Sequence, residues 1–181
     1  MNRRLRIGMT AAAVLGLAYG LGYFWLGPPA QSDRYAAVDS DTLEMVPAQC
    51  GLNRIGLGCR TQPLRLYGVD AFENSQSCHD AQGKPWPCGA IAAARLKELV
   101  AKPDFSCQVD PEFLDRRSRE FSVCVSDGKD VGAALVSEGL AFAYGRGAQY
   151  LPLEAKAKAD KRGAWAGAFV RPQFYRQGAT E

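Results

Sequence analysis

The sequence predicts a mainly β domain with three helices: a five-stranded Greek-key barrel behind one N-terminal apolar helix. Three observations predict it. Five short apolar or alternating runs are separated by turn-forming residues. One Ala-rich helical stretch divides the third run from the fourth, and two more helical stretches follow the fifth. A long uncharged stretch precedes them all.

Residues 7–27 carry no charge. A helix of that length, rising ~1.5 Å per residue, spans the ~30 Å hydrocarbon core of a bilayer. Arg3, Arg4 and Arg6 precede it, which orients the start inward and the rest outward. Phe24 and Trp25 stand where an interfacial aromatic belt would sit, and no small-x-small cleavage pattern follows. A retained anchor is therefore preferred to a cleaved signal, with secretion the consequence if cleavage occurs. Pro28 and Pro29 end the helix. Residues 1–33 thus read as basic start, anchor and linker, residues 34–176 as the domain, and residues 177–181 as a tail.

Within the domain, residues 35–46 alternate loosely and are broken at Asp39-Ser40-Asp41, giving two strands. Residues 64–69 form a third apolar run. Residues 88–101 are helical, with Leu96, Leu99 and Val100 on one stripe, and Pro103 stops them. Residues 105–109 and 121–125 are strands around a polar turn at Asp115-Arg116-Arg117-Ser118. Asp130 is a good N-cap for a helix that carries Val131, Leu135 and Val136 inward and ends at Gly139. Pro152 suits the first turn of the last helix, which finishes at Gly163. The order β-β-β-α-β-β-α-α suggests a partly open barrel of the oligonucleotide-binding kind.

Cys50, Cys59, Cys78, Cys88, Cys107 and Cys124 form an even set beyond the anchor, which fits an oxidising compartment. Sequential pairing, 50–59, 78–88 and 107–124, is favoured by local geometry. Cys107 and Cys124 in particular are equidistant from a turn near Asp115 and can face each other across a hairpin. A zinc site is disfavoured, since no Cys-x-x-Cys exists and His79 is the single histidine. His79 reads as a solvated loop residue.

Charge excludes one class of function. The net charge is +3, but Arg3, Arg4 and Arg6 account for all of it. A nucleic-acid binder that works by bulk charge would carry a basic excess, so a polyanion must be held here by a local cluster. With 47% hydrophobic and 10% aromatic residues, the chain is not of the disordered class.

Three polar clusters interrupt the β-rich part: Asp39-Ser40-Asp41-Thr42, then Arg65 with Asp70 and Glu73, then Asp115-Arg116-Arg117-Ser118-Arg119. They match the needs of phosphodiester hydrolysis. Carboxylates from different strands can hold a hard cation that polarises a phosphoryl oxygen. Another carboxylate can take a proton from water. Guanidinium groups bind the growing charge on the equatorial oxygens and stay protonated.

The run Arg65-Leu66-Tyr67-Gly68-Val69-Asp70-Ala71-Phe72-Glu73 is similar to the Arg-Leu-x-Gly-Ile-Asp-x-Pro-Glu motif of the staphylococcal-nuclease-like (thermonuclease) family. Asp39-Ser40-Asp41-Thr42 resembles its Asp-Gly-Asp-Thr, and residues 115–119 occupy the place of its Asp-x-Tyr-Gly-Arg. Gly139-Leu140-Ala141-Phe142-Ala143-Tyr144 and Gly163-Ala164-Trp165-Ala166-Gly167 add to the likeness, which covers residues 34–176.

The resemblance implies the five-stranded oligonucleotide-binding barrel and Ca²⁺-dependent hydrolysis of DNA and RNA. It implies Ca²⁺ ligation by Asp41, Asp70 and the backbone carbonyl of Ala71, with Glu73 as general base and Arg65 and Arg119 as phosphate clamps. Single-stranded DNA or RNA, or nucleotides, are the expected substrates. The membrane is an expected partner through the N-terminal helix, no organic cofactor is expected, and the expected state is a monomer. A second reading keeps the same barrel as a non-catalytic module that binds nucleic acid or a protein partner at the membrane.

Three departures stand out. Ser40 replaces a turn glycine, Phe72 replaces a proline next to Glu73, and Arg117-Ser118 replaces Tyr-Gly, which leaves Arg116 or Arg117 as alternative clamps. Residues such as Tyr144 and Trp165 more often belong to a core than to a base-stacking platform, and Trp165 is read as core.

Overall fold

Alternation and turn chemistry place most of the sheet. The structure, a computed structural model, describes residues 33–48, 60–115 and 117–179, with the side chains of 111–113 excluded. The apolar helix at 7–27, the Cys50–Cys59 pair and Arg116 lie outside the described residues.

β1 (Arg34–Ala37) and β2 (Thr42–Val46) form a hairpin across the Asp39–Asp41 turn, with Ala37 opposite Leu43. β3 (Gln62–Leu66) pairs with β2, so that Thr42 lies opposite Arg65. The third apolar run is not one strand. It stops at Leu66, turns through Tyr67 and Gly68 (φ +71°), and resumes as β4 (Val69–Ala71). A Cβ on Gly68 would meet the Gly147 Cα at 2.7 Å, so glycine is required there. The turn also resets the side-chain parity. Unbroken alternation would put Val69 on the same face as Arg65; instead it joins Leu66 in the core.

Short strands β5 (Cys78–His79) and β6 (Pro85–Trp86) pair with each other. His79 is half-buried in β5, and its backbone N–H donates to the Ala168 carbonyl at 2.8 Å. The expectation of a solvated loop residue is corrected, because this small ladder closes against the C-terminal segment. α1 (Cys88–Val100) follows, buried along Ala92, Leu96 and Leu99.

β7 (Ser106–Leu114) and β8 (Glu120–Ser126) make the second hairpin, with Cys107 opposite Cys124 and a register irregularity between Asp110 and Leu114. β9 (Lys129–Asp130) pairs back on β8. Asp130 caps α2 (Val131–Ser137) by accepting from the Ala133 N–H. β10 (Ala141–Ala143) pairs with β4 rather than with the main sheet. α3 (Leu151–Ala159) has its proline in the first turn and ends before Gly163, which has a φ of +52°. A further single turn, α4 (Pro172–Tyr175), was not expected.

The main sheet runs β1-β2-β3-β8-β7, antiparallel except for the parallel pair β3–β8. It curls into a half-barrel, and the Tyr35 ring of one edge strand meets Phe105, just before the other, edge-on at 5.0 Å. The five expected strands are those of this path. Leu43, Leu64, Leu66 and Val69 from the strands pack on Leu96 and Leu99 of α1 and Val131, Leu135 and Val136 of α2. A second cluster gathers Phe72, Phe142, Cys78, Cys88 and Ala164, with Trp165 and Phe169 against it.

The disulfides Cys78–Cys88 and Cys107–Cys124 pair as expected. Among the described residues, no helix is long and apolar enough to cross a membrane.

Candidate active site

Strand register brings the polar clusters together. Leu64 and Leu66 are buried, so by alternation Arg65 leaves β3 on the opposite face. The pairing sets it beside Thr42 of β2 on one side and Phe121 of β8 on the other. Asp41 ends the turn into β2, Asp70 sits in β4, Glu73 follows two residues after β4, and Arg119 directly precedes β8.

Arg65 is the hub. Its Nη1 donates to Asp41 Oδ1 at 3.1 Å, and its Nη2 lies 2.7 Å from Asp41 Oδ2 and 2.9 Å from Asp70 Oδ1. Asp41 also accepts from the Thr42 hydroxyl at 3.0 Å and from the Ala71 N–H at 3.4 Å. Arg119 donates through Nη1 to the Thr42 hydroxyl, which ties it to the same group. Its Nε and Nη2 both grip Asp115 Oδ2, at 2.7 and 2.6 Å. Asp115 Oδ1 accepts from the backbone N–H of Arg117 and of Arg119. This fixes the register of the third cluster: Arg119, not Arg117, reaches the acidic group, while Arg117 lines the cleft as an exposed side chain.

Of the departures, Ser40 does not adopt a positive φ, so the turn tolerates it. Its N–H donates to Asp39 Oδ1 at 2.7 Å and its hydroxyl to the Gly89 carbonyl at 3.3 Å. Ser118 does take the left-handed conformation, at φ +59°. Phe72 is fully buried, edge-on to Phe142 at 5.1 Å and to Phe169 at 5.8 Å. The position of Glu73 is therefore set by its neighbours. Its N–H donates to the Gln76 side chain at 3.2 Å and its carbonyl accepts from the Gln76 N–H at 2.8 Å. A Cβ on Gly89 would lie 1.7 Å from that carbonyl, so only glycine lets α1 approach it.

One participant escaped the sequence reading. Arg176, just past α4, donates from Nη1 to Glu73 Oε1 at 2.7 Å and from Nη2 to both Asp70 oxygens at 3.1 Å. It lies more than a hundred residues from both partners, and a lone arginine near the end of the chain has no local signal. Tyr144 departs from the more usual core role of such a residue: it is 48% exposed and lines the cleft. Trp165 packs edge-on against Phe142 and Phe169, as expected.

The cleft encloses about 660 Å³. Its polar wall carries Asp41, Arg65, Glu73, Arg119 and Arg176, and its apolar side carries Tyr67, Phe121, Tyr144 and Leu114. Burial pushes the Asp41 carboxyl above the usual carboxylate range; Arg65 pulls it back and the Asp70 carboxylate raises it again. Burial would also raise Asp115, but hydrogen bonds from Arg119 and from the Arg119 and Arg117 backbone outweigh it and hold that carboxyl low. Burial disfavours the Arg176 cation, yet the hydrogen bonds to Asp70 and Glu73 prevail and keep it protonated.

The donor set fits a hard divalent cation. Asp41 Oδ2 and Asp70 Oδ1 converge on one cationic nitrogen, Arg65 Nη2, at 2.7 and 2.9 Å, and carboxylate oxygens are the donors a hard ion such as Ca²⁺ takes. The raised Asp41 carboxyl is a buried acid that gains from added positive charge. Among the described residues, no group of three or more His, Cys, Asp or Glu side chains is placed so that it could hold a metal ion by itself. An ion here would complete its shell with backbone carbonyls and water, as Ca²⁺ does and as soft, closed sites do not.

Comparison with curated proteins finds no match. The family model described as Staphylococcal nuclease homologue matches residues 63–167, which span β3 to the turn after Trp165 and so include Arg65, Asp70, Glu73 and Arg119. That is more than half of the chain, and the chain belongs to this family of staphylococcal nuclease homologues.

Proposed function

We propose that the domain is a Ca²⁺-dependent phosphodiesterase that hydrolyses DNA or RNA outside the cytoplasm, on a five-stranded oligonucleotide-binding barrel. Family membership supports a nuclease-type function. The observation that carries the finer reading is the linkage of the cleft-lining Asp41, Arg65, Glu73 and Arg119 with one another and with the buried Asp70 by hydrogen bonds through Arg65, Thr42 and Arg176.

Asp41, Asp70 and the Ala71 carbonyl would hold the cation, which when bound supplies Lewis-acid polarisation of a phosphoryl oxygen. Glu73 accepts the proton of the attacking water through a carboxylate oxygen. Arg65 has five N–H donors in a fixed fork, so its bonds to Asp41 and Asp70 leave donors for a phosphate. Arg119 is held by Asp115 and clamps from the other side. Both stabilise charge that grows on the equatorial oxygens. Tyr67, Phe121 and Tyr144 offer faces on which bases can stack, each worth ~1–3 kcal/mol. The cleft volume lies in the range of small-ligand sites, ~300–1,000 Å³, which suits a nucleotide or a single strand rather than a duplex.

Two disulfides favour an oxidising compartment. With the uncharged residues 7–27 behind three arginines, they support a domain anchored outside the cytoplasm, or secreted after cleavage.

The test is cleavage of single-stranded DNA by the purified protein with Ca²⁺ or with a chelator. Ca²⁺-dependent cleavage is expected, with at least a hundredfold loss in Glu73→Gln, about 2.7 kcal/mol of transition-state stabilisation. Binding without cleavage, unchanged by the chelator, would make the domain a non-catalytic binding module instead.

A further inference from the structure

The C-terminal segment reaches the site from beyond the family-matched range, which ends at residue 167. It is anchored before it arrives. Phe169 stacks on Phe142 at 5.3 Å and meets Phe72 edge-on. Arg171 Nη2 binds Glu154 Oε1 at 2.6 Å, and its guanidinium lies 4.8 Å from the centre of the Phe142 ring. Gln76 Nε2 donates to the Val170 carbonyl at 2.6 Å, and Pro172 is buried. α4 then delivers Arg176 onto Asp70 and Glu73.

Asp41, Asp70 and Glu73 are bonded by two guanidinium groups, Arg65 and Arg176, so one negative charge is left over. Arg119 is already neutralised by Asp115. A divalent cation added to all five groups would leave a net positive charge in a partly buried place, which is costly. The same cation with Arg176 withdrawn leaves the group neutral. The Asp70 and Arg65 side chains are only 3% and 12% exposed, whereas the Arg176 side chain is 30% exposed and has room to rotate outward while Phe169, Arg171 and Pro172 stay seated.

We propose that Arg176 is the resident counter-cation of the site. It holds Asp70 and Glu73 together in the ion-free protein, competes with the divalent cation, and swings into the cleft when the cation binds. The inference rests on the calcium-dependent reading above and adds a residue that sets the affinity of the site for its ion.

The experiment is calorimetric titration of the full chain with Ca²⁺, without nucleic acid, for the wild type, Arg176→Gln, Arg176→Met and Arg176→Lys. Removal of one positive charge in contact with the ligands is expected to tighten Ca²⁺ binding about tenfold in the Gln and Met variants. The Lys variant keeps the charge and is expected to stay within about threefold of the wild type. The Met variant keeps the aliphatic stem and serves if the Gln variant does not fold. Unchanged or weaker binding in the neutral variants overturns the proposal, as does tightening by Lys equal to that by Gln. DNA cleavage assayed in parallel separates the two readings. Cleavage with no change in Ca²⁺ affinity sinks the role of Arg176 alone. Tightening without cleavage supports that role and removes the nuclease reading. No Ca²⁺ binding by any of the proteins overturns both.

Discussion

At Asp41, a carboxylate with 6% exposure shares Arg65 with a second buried carboxylate, Asp70. Burial is the largest influence on it and raises its pKa in the folded state. Relative to the unfolded chain, the folded state binds this proton more tightly. Stability from this group is therefore present below its ordinary value of 3.8 and is lost as pH rises through that value toward the raised one. At neutral pH the ion-free protein carries a charge that it would shed. Asp41→Asn is expected to raise the melting temperature of the ion-free protein at pH 7, with the gain shrinking as pH falls toward 4. On the calcium-dependent reading, Ca²⁺ is expected to stabilise the wild type and to stabilise this variant far less. Thermal melts across pH, with and without Ca²⁺, check both. A lower melting temperature at pH 7 would mean that the pair with Arg65 outweighs burial. Ser118 carries a local backbone conflict, held at positive φ between Arg117, whose N–H bonds Asp115, and Arg119.

At the scale of elements, the β7–β8 hairpin carries Arg119 at its turn end, and the Cys107–Cys124 pair lies further along it, with the turn between. The bridge closes a loop of 17 residues in sequence. Replacing both cysteines by serine is expected to cost ~3 kcal/mol, read from urea denaturation under non-reducing conditions. The Asp115–Arg119 ion pair sits at the turn and does not depend on the bridge, so Ca²⁺ affinity at low temperature is expected to hold. A loss of Ca²⁺ binding that matches the loss of stability would argue that the hairpin positions the acidic group as well as Arg119. The hairpin also explains the legibility of this part. Two alternating runs symmetric about a polar turn specify both the pairing and the cross-strand cysteines.

At the scale of the molecule, Phe72 ties β4 to the C-terminal segment through Phe142 and Phe169. The family motif has proline where Phe72 stands. Restoring it by Phe72→Pro would remove a fully buried ring from this cluster, and the expected cost is ~3–5 kcal/mol, the range for deletion of a buried aromatic side chain. Urea denaturation measures it. If instead the variant matched the wild type in stability, the ring cluster would not be what seats the segment that ends in Arg176.

Most of the sheet and half of the site were local matters and could be read from residues alone. The Asp130 cap, the break at Asp39–Asp41, the Cys107–Cys124 pairing and the strand that carries Arg65 each follow from short-range pattern, because alternation and capping act over a few residues. The motif run from Arg65 to Glu73 was likewise legible. Three things were decided only by tertiary contact. The turn at Gly68 split one apolar run into two strands because the Gly147 backbone presses against it. Tyr144 faces the cleft because β10 pairs with β4 and the chain then bends over Gly68. Arg176 reaches Asp70 and Glu73 because an aromatic cluster, assembled from segments far apart in the chain, seats the residues before it. Contacts across about a hundred residues leave no periodicity in the sequence, so the residue proposed to govern the ion was the one the sequence concealed.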